Sequence, residues 1–217
     1  MDFEQARFNM IEQQIRTWEV LDQKVLDLIE ELHREDFIPE AYKQLALADI
    51  NIPLAHGEVT MTPKLEARVL QALAVNPGDE ILEIGTGCSY FTALLAKAGG
   101  TVHSVDIYPE FTERARALLA GHGLDNVQLY TGDALYGWPA GAPYDVIAVT
   151  GSVPSLLIEY QQQLNPGGRL FVIVGESPIM DAVLITRTGR DEWSRESLFE
   201  TDLPPLVGAA KKTHFQF

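Results

Sequence analysis

From Glu80 onward the chain alternates short apolar runs with amphipathic stretches of helical period, and this rhythm narrows the possible folds more than any other feature. The runs Glu80 to Ile84, Thr101 to Val105, Val127 to Tyr130, Tyr144 to Val149 and Arg169 to Val174 have strand length. Tyr90 to Ala98, Pro109 to Ala120 and Pro154 to Gln163 space their apolar side chains as helices do. Parallel strands need long crossovers, which such helices supply on both faces of a sheet. Later, Ala182 to Thr186, a turn at Thr188-Gly189-Arg190 and the segment Trp193 to Phe199 read as an antiparallel pair at the sheet edge. The predicted fold is α/β: a doubly wound, mostly parallel seven-stranded sheet with an antiparallel C-terminal edge.

Ahead of the sheet, apolar residues at Phe8, Ile11, Ile15 and Trp18, and again at Val25, Leu28, Ile29 and Leu32, predict two helices, the second capped by Asp22. Pro39, Pro53, Gly57 and Pro63 break the next stretch into loops, and helical spacing resumes at Leu65, Val69, Leu70 and Leu73. One domain over residues 1–217 is therefore expected, with 1–76 an N-terminal helical and loop extension and 77–217 a nucleoside-binding α/β core. The tail Lys211 to Phe217 is left open, either folded over the site or frayed.

Sheets of this kind bind ligands at the carboxyl ends of their strands, so the residues there matter most. Glu83-Ile84-Gly85-Thr86-Gly87 follows the first strand, and its glycines let the backbone bend sharply and approach a ligand. Asp106 ends the second strand, where an acidic side chain can accept from a ribose diol, and Ile107 follows it. Gly132-Asp133-Ala134 ends the third, offering a carboxylate to an adenine amino group. A dinucleotide site needs a third glycine, but the loop continues as Cys88-Ser89-Tyr90, and Glu83 would repel phosphate while tolerating a sulfonium cation. The cofactor expected is S-adenosylmethionine, with S-adenosylhomocysteine as product, and a nicotinamide dehydrogenase is the alternative. The cofactor residues are Glu83, Gly85, Thr86, Gly87, Asp106, Ile107, Asp133 and Ala134. Against this stand simpler readings: Glu83 as a capping or surface carboxylate, and Asp106 as a cap of the following helix.

The formal net charge of −15 argues against nucleic acid or an anionic membrane as partner. A lone cysteine, Cys88, permits no internal disulfide and suits a reducing compartment. No apolar run approaches a membrane span, and the opening Met1-Asp2-Phe3-Glu4 lacks the basic start of a signal peptide, so a cytoplasmic protein is expected. No metal site is predicted.

Beyond these motifs the chain resembles the protein-L-isoaspartate O-methyltransferases. The resemblance rests on Met10, Gln13-Gln14-Ile15, Val25-Leu26, Arg34 to Pro39, Ala48-Asp49, Ile52-Pro53, Gly57 to Pro63, Pro77-Gly78, the Leu82 to Tyr90 loop, Gly132-Asp133, Tyr144 to Thr150, Gln163-Leu164 and Gly167-Gly168. It implies a Rossmann-like methyltransferase fold and methyl transfer to the α-carboxyl of L-isoaspartyl residues in damaged proteins or peptides. Two positions depart from the family pattern. Met61 stands where the family has an active-site serine, leaving Thr60 and Thr62 as candidate catalytic hydroxyls, and Ser89 replaces the loop's last glycine, which would narrow the approach to the cofactor. Two further readings stay open on Met61: a different acceptor in a remodelled pocket, and a protein that binds the cofactor without turnover. Cys88 reads as a small loop residue rather than a nucleophile, and His56 as the better placed of the unassigned polar groups.

Overall fold

The structure is a computed structural model that describes residues 2–209, so the tail Lys211 to Phe217 lies outside the described residues. Seven strands form one sheet in the order β3-β2-β1-β4-β5-β6-β7. They are β1 (Glu80–Ile84), β2 (Thr101–Asp106), β3 (Val127–Thr131), β4 (Tyr144–Val153), β5 (Leu164–Glu176), β6 (Ile179–Gly189) and β7 (Glu192–Thr201). The first five run parallel, while β6 and β7 join antiparallel, as the alternation and the closing hairpin imply. Strand order reverses at β1, between β2 on one side and β4 on the other, which opens a crevice at the carboxyl ends.

The helices are α1 (Phe3–Met10), α2 (Gln23–Glu31), α3 (Pro63–Leu73), α4 (Tyr90–Ala98), α5 (Pro109–Gly121) and α6 (Ile158–Gln162). Asp22 caps α2 by accepting from the Lys24 N–H at 2.9 Å. The first predicted helix runs through three hydrogen-bonding patterns: α1, a π-helical turn over Ile11–Ile15, and a 3-10 turn over Arg16–Trp18. It stops where Glu19 turns left-handed at φ 60°. One apolar cluster joins this N-terminal region to the sheet, packing Met10, Ile15, Ile29 and Leu70 with Ala93, Val146 and Phe171. A second fills the other face with Leu82, Ile147, Tyr160 and Val172.

The irregular stretch after α2 is organised by a buried guanidinium. Arg34 gives Nε to Glu66 Oε2 at 2.8 Å, Nη1 to the Ala46 carbonyl at 2.5 Å and Nη2 to the Met61 carbonyl at 2.8 Å. One side chain thus ties the loop to α3. Within the loop, Pro53 and Val59 form an isolated antiparallel bridge around a short turn at Ala55–Gly57.

The helix expected over Pro154 to Gln163 is a correction, since only Ile158–Gln162 is helical. Residues 154–157 are irregular instead, and β4 runs past the expected Val149 to Val153, where Ser152 finds partners far along the chain. Its N–H donates to the Pro204 carbonyl at 3.0 Å, its carbonyl accepts from the Leu206 N–H at 2.9 Å, and its Oγ donates to the Leu203 carbonyl at 2.7 Å. The C-terminal segment is thereby stitched beside β4, above the crevice.

Candidate active site

Two adjoining cavities occupy the crevice. The larger, about 740 Å³ counted out to solvent, is lined by Gly85, Gly87, Asp106, Ile107, Asp133 and Ala134, with the 203–207 segment as its apolar wall. The smaller, about 320 Å³, is lined by Thr60, Met61, Glu66, Glu83, Thr86 and Cys88 among others. Gly85, Gly87 and Thr150 border both. The eight residues named for the cofactor thus fall on these two connected spaces.

The glycine loop has the geometry its sequence demands. Gly85 and Gly87 have φ of 100° and 51°, and a Cβ on Gly85 would sit 2.2 Å from Thr150 Oγ1. Thr150 in turn donates to the Ile84 and Gly85 carbonyls at 2.9 and 2.8 Å, fixing the loop from β4. Ser89 also lies left-handed, at φ 65°, which accounts for a glycine at this place in the family. Its expected intrusion on the cofactor is a correction: Ser89 lines neither cavity, and its Oγ turns back to the Cys88 carbonyl at 2.6 Å.

Glu83 is fully buried. Its Oε2 accepts from Thr92 Oγ1 at 2.5 Å and Ser104 Oγ at 2.6 Å, while Oε1 has no hydrogen-bond partner among the described residues. Burial pushes its carboxyl up to about 8, so near neutral pH it carries a proton until a cation approaches. The expected standing repulsion of phosphate is therefore weaker than the sequence implied. Thr86 belongs to the same network, its hydroxyl 2.7 Å from Ser104 Oγ.

Asp106 serves the loop as well as the cleft. Its Oδ2 accepts from the Gly87 N–H and its Oδ1 from the Tyr108 N–H, each at 3.0 Å. Burial raises its carboxyl above the usual range, against the pull of these backbone donors. Ile107 presents an exposed apolar side chain, and Asp133 holds the next turn by accepting from the Leu135 N–H at 2.9 Å. Ala134 is buried in the floor.

The acceptor side is more divided. Thr60 is buried on the smaller cavity, and its Oγ1 accepts from the Ile52 N–H at 3.1 Å and from Arg34 Nη2 at 3.3 Å. Thr62 precedes α3 and borders neither cavity. Met61 packs its side chain on the smaller cavity while its carbonyl is held by Arg34. Burial pushes the Cys88 thiol up to about 11, which leaves almost no thiolate at neutral pH. His56 stacks on Tyr108 with ring centroids 4.0 Å apart and places Nε2 3.1 Å from Glu110 Oε2. It clamps the loop onto α5 and lines neither cavity.

Sequence reasoning missed Glu58, Thr150 and the 203–207 wall, all of which line the larger cavity. Glu58 follows His56 and Gly57 in an aperiodic loop, and the wall depends on Ser152, whose partners lie about 50 residues away; neither leaves a local pattern.

The family model for protein-L-isoaspartate(D-aspartate) O-methyltransferase matches residues 5–211. A protein-L-isoaspartate O-methyltransferase of Anaeromyxobacter dehalogenans is 44% identical over 196 residues, covering 87% of this chain and 94% of that protein. Protein-L-isoaspartate O-methyltransferase 1 of Rhodopseudomonas palustris is 38% identical over 207 residues, covering 95% and 84%. A solved protein-L-isoaspartate O-methyltransferase superposes with a TM-score of 0.77 at 25% identity, over 95% of this chain and 66% of that one. A Plasmodium falciparum structure, described as a putative member in complex with S-adenosyl-L-homocysteine, shares the fold at a TM-score of 0.76 and 17% identity, over 95% and 98%. Match, relatives and fold agree over nearly the full described length, and the chain belongs to the protein-L-isoaspartate(D-aspartate) O-methyltransferase family.

Proposed function

We propose that this chain is an S-adenosylmethionine-dependent O-methyltransferase acting on the α-carboxylate of L-isoaspartyl residues in damaged proteins or peptides. The observation that carries the reading is the pair of joined cavities, in which a nucleoside-sized cleft meets a smaller chamber holding one buried carboxyl oxygen without a partner. That oxygen, Oε1 of Glu83, suits a cationic methionine moiety, and the glycine loop leaves room for the ligand's approach. Asp106 and Asp133 face the ribose and adenine, and Ile107 and Ala134 supply apolar contact. S-adenosylmethionine, when bound, supplies an electrophilic methyl group. The acceptor carboxylate is already ionised near neutral pH, so the chain need provide no general base. Its own residues orient the two reactants and exclude water.

Thr60 is the hydroxyl favoured on the acceptor side. A hydroxyl accepts twice and donates once, and Thr60 already accepts from Ile52 and Arg34, so its proton is left to donate toward a carboxylate. Thr62 stands outside the chamber, and we assign it no contact. The extension and the core act as one domain in this reading, since the chamber is built from both. The acidic chain would meet peptides rather than nucleic acid or membrane, and its single buried thiol suits the cytosol. No described helix is long and apolar enough to cross a membrane.

Labelled S-adenosylmethionine with an isoaspartyl peptide, beside the same peptide carrying normal aspartate, tests the proposal. Methyl transfer confined to the isoaspartyl peptide supports it. Cofactor binding with no transfer to either peptide would refute the acceptor assignment.

A further inference from the structure

The larger cavity contains a carboxylate that neither the glycine loop nor the strand ends account for. Glu58 lies on the loop before α3, far in sequence from β2, yet it lines the same cleft as Asp106 and Ile107. Its backbone is pinned on both sides, with its N–H donating to the Ala55 carbonyl at 3.1 Å and its carbonyl accepting from the Leu54 N–H at 2.8 Å. His56, stacked on Tyr108, presses this loop against the link between β2 and α5. The side chain is half-buried and takes no hydrogen bond from the described residues.

A solvated surface carboxylate would turn to water, and a structural one would find a donor. Glu58, half-buried on the cleft, finds no such donor among the described residues, because His56 is hydrogen-bonded to Glu110 and acts on Glu58 only through its charge. Burial first, and then the charge of Asp106, raise its carboxyl above the usual range against the opposing pull of His56, so the two acids stand close enough to repel. Folding gains nothing from that juxtaposition, whereas a ligand offering two hydroxyl protons between them would relieve it. Asp106 has one lone pair on each oxygen taken by Gly87 and Tyr108, while both oxygens of Glu58 are open.

We propose that Glu58 is a second carboxylate of the ribose subsite, accepting from one hydroxyl of the nucleoside diol while Asp106 accepts from the other. The inference rests on the reading of the larger cavity as the nucleoside site. It assigns Glu58 to the sugar rather than to the sulfonium, which separates its consequences from those of Glu83.

The test is calorimetric and independent of turnover. S-adenosylmethionine and S-adenosylhomocysteine share the ribose but differ in charge at sulfur, and both are titrated into the wild-type chain, Glu58→Ala and Glu58→Gln. Wild-type binding of neither ligand would overturn the nucleoside reading itself, and the inference with it. Given wild-type binding, Glu58→Ala weakens both ligands by the same factor, about tenfold or more, as expected for a lost bond to a charged acceptor. Glu58→Gln, which keeps an oxygen acceptor and has nearly the same shape, recovers part of the loss. Adenosine shows the same dependence on Glu58, and 2′,3′-dideoxyadenosine shows none. An unchanged affinity for S-adenosylhomocysteine in both variants, or a loss confined to S-adenosylmethionine, would overturn the assignment to the ribose.

Discussion

At the scale of single residues, two side chains carry consequences that can be measured. Glu83 holds its proton to about pH 8 in the folded chain, while in the unfolded chain it ionises in the ordinary carboxylate range. Between those limits the folded state binds the extra proton, so stability falls as pH rises through the window, by up to about 1.4 kcal/mol per pH unit. Urea midpoints of the unliganded chain between pH 5 and 8 should show that slope, and Glu83→Gln should flatten it; equal slopes in the two proteins would mean that Glu83 is ionised throughout. Thr60 gives the second prediction. Thr60→Ser keeps the donor and should retain most of the methyl transfer, whereas Thr60→Val should lower kcat about tenfold or more, because it removes the only side-chain donor of the pair Thr60 and Met61. If Thr60→Val transferred methyl groups as fast as Thr60→Ser, the acceptor would be held elsewhere.

The elements show which parts of the molecule a sequence can announce. Strands β1, β2 and β3, helices α4 and α5, and the strand ends at Glu83, Asp106 and Asp133 were legible because their signals are local: period, caps and glycines at sharp bends. The end of β4 and the start of α6 were not, since Ser152 is satisfied by partners some 50 residues on, and the local pattern of Pro154 to Gln163 is helical. Glu58 was hidden for a related reason. Its importance comes from a loop folded over β2, and that loop is shaped by Arg34 rather than by any periodicity. Arg34 makes a prediction at this scale: Arg34→Ala leaves Glu66 buried without its partner and frees the carbonyls of Ala46 and Met61. The loss should be about 3–5 kcal/mol of folding stability, read by denaturant titration. A change below about 1 kcal/mol would show that water can replace the guanidinium there.

The molecule as a whole is an acidic body with its cleft at one edge of the sheet, and the net charge of −15 acts on whatever approaches. Isoaspartyl peptides flanked by lysine or arginine should show higher kcat/KM at low ionic strength than peptides flanked by glutamate, and the gap should shrink as salt is raised toward about 1 M, where screening is nearly complete. A gap that salt leaves unchanged would place the preference in direct contacts. The cleft's walls come from distant parts of the chain: Glu58 on one side, the β2 and β3 ends on another, and residues 203–207 on the last. The three hydrogen bonds that fasten this last wall to Ser152 have a consequence for biosynthesis. A chain still emerging from the ribosome can lay down β1 to β5 and the glycine loop, but its cleft lacks a side until Leu203 to Val207 has cleared the exit and docked on β4. Ligand capture should therefore wait for that docking, and the ligand, once bound, would act as a latch on the assembled cleft.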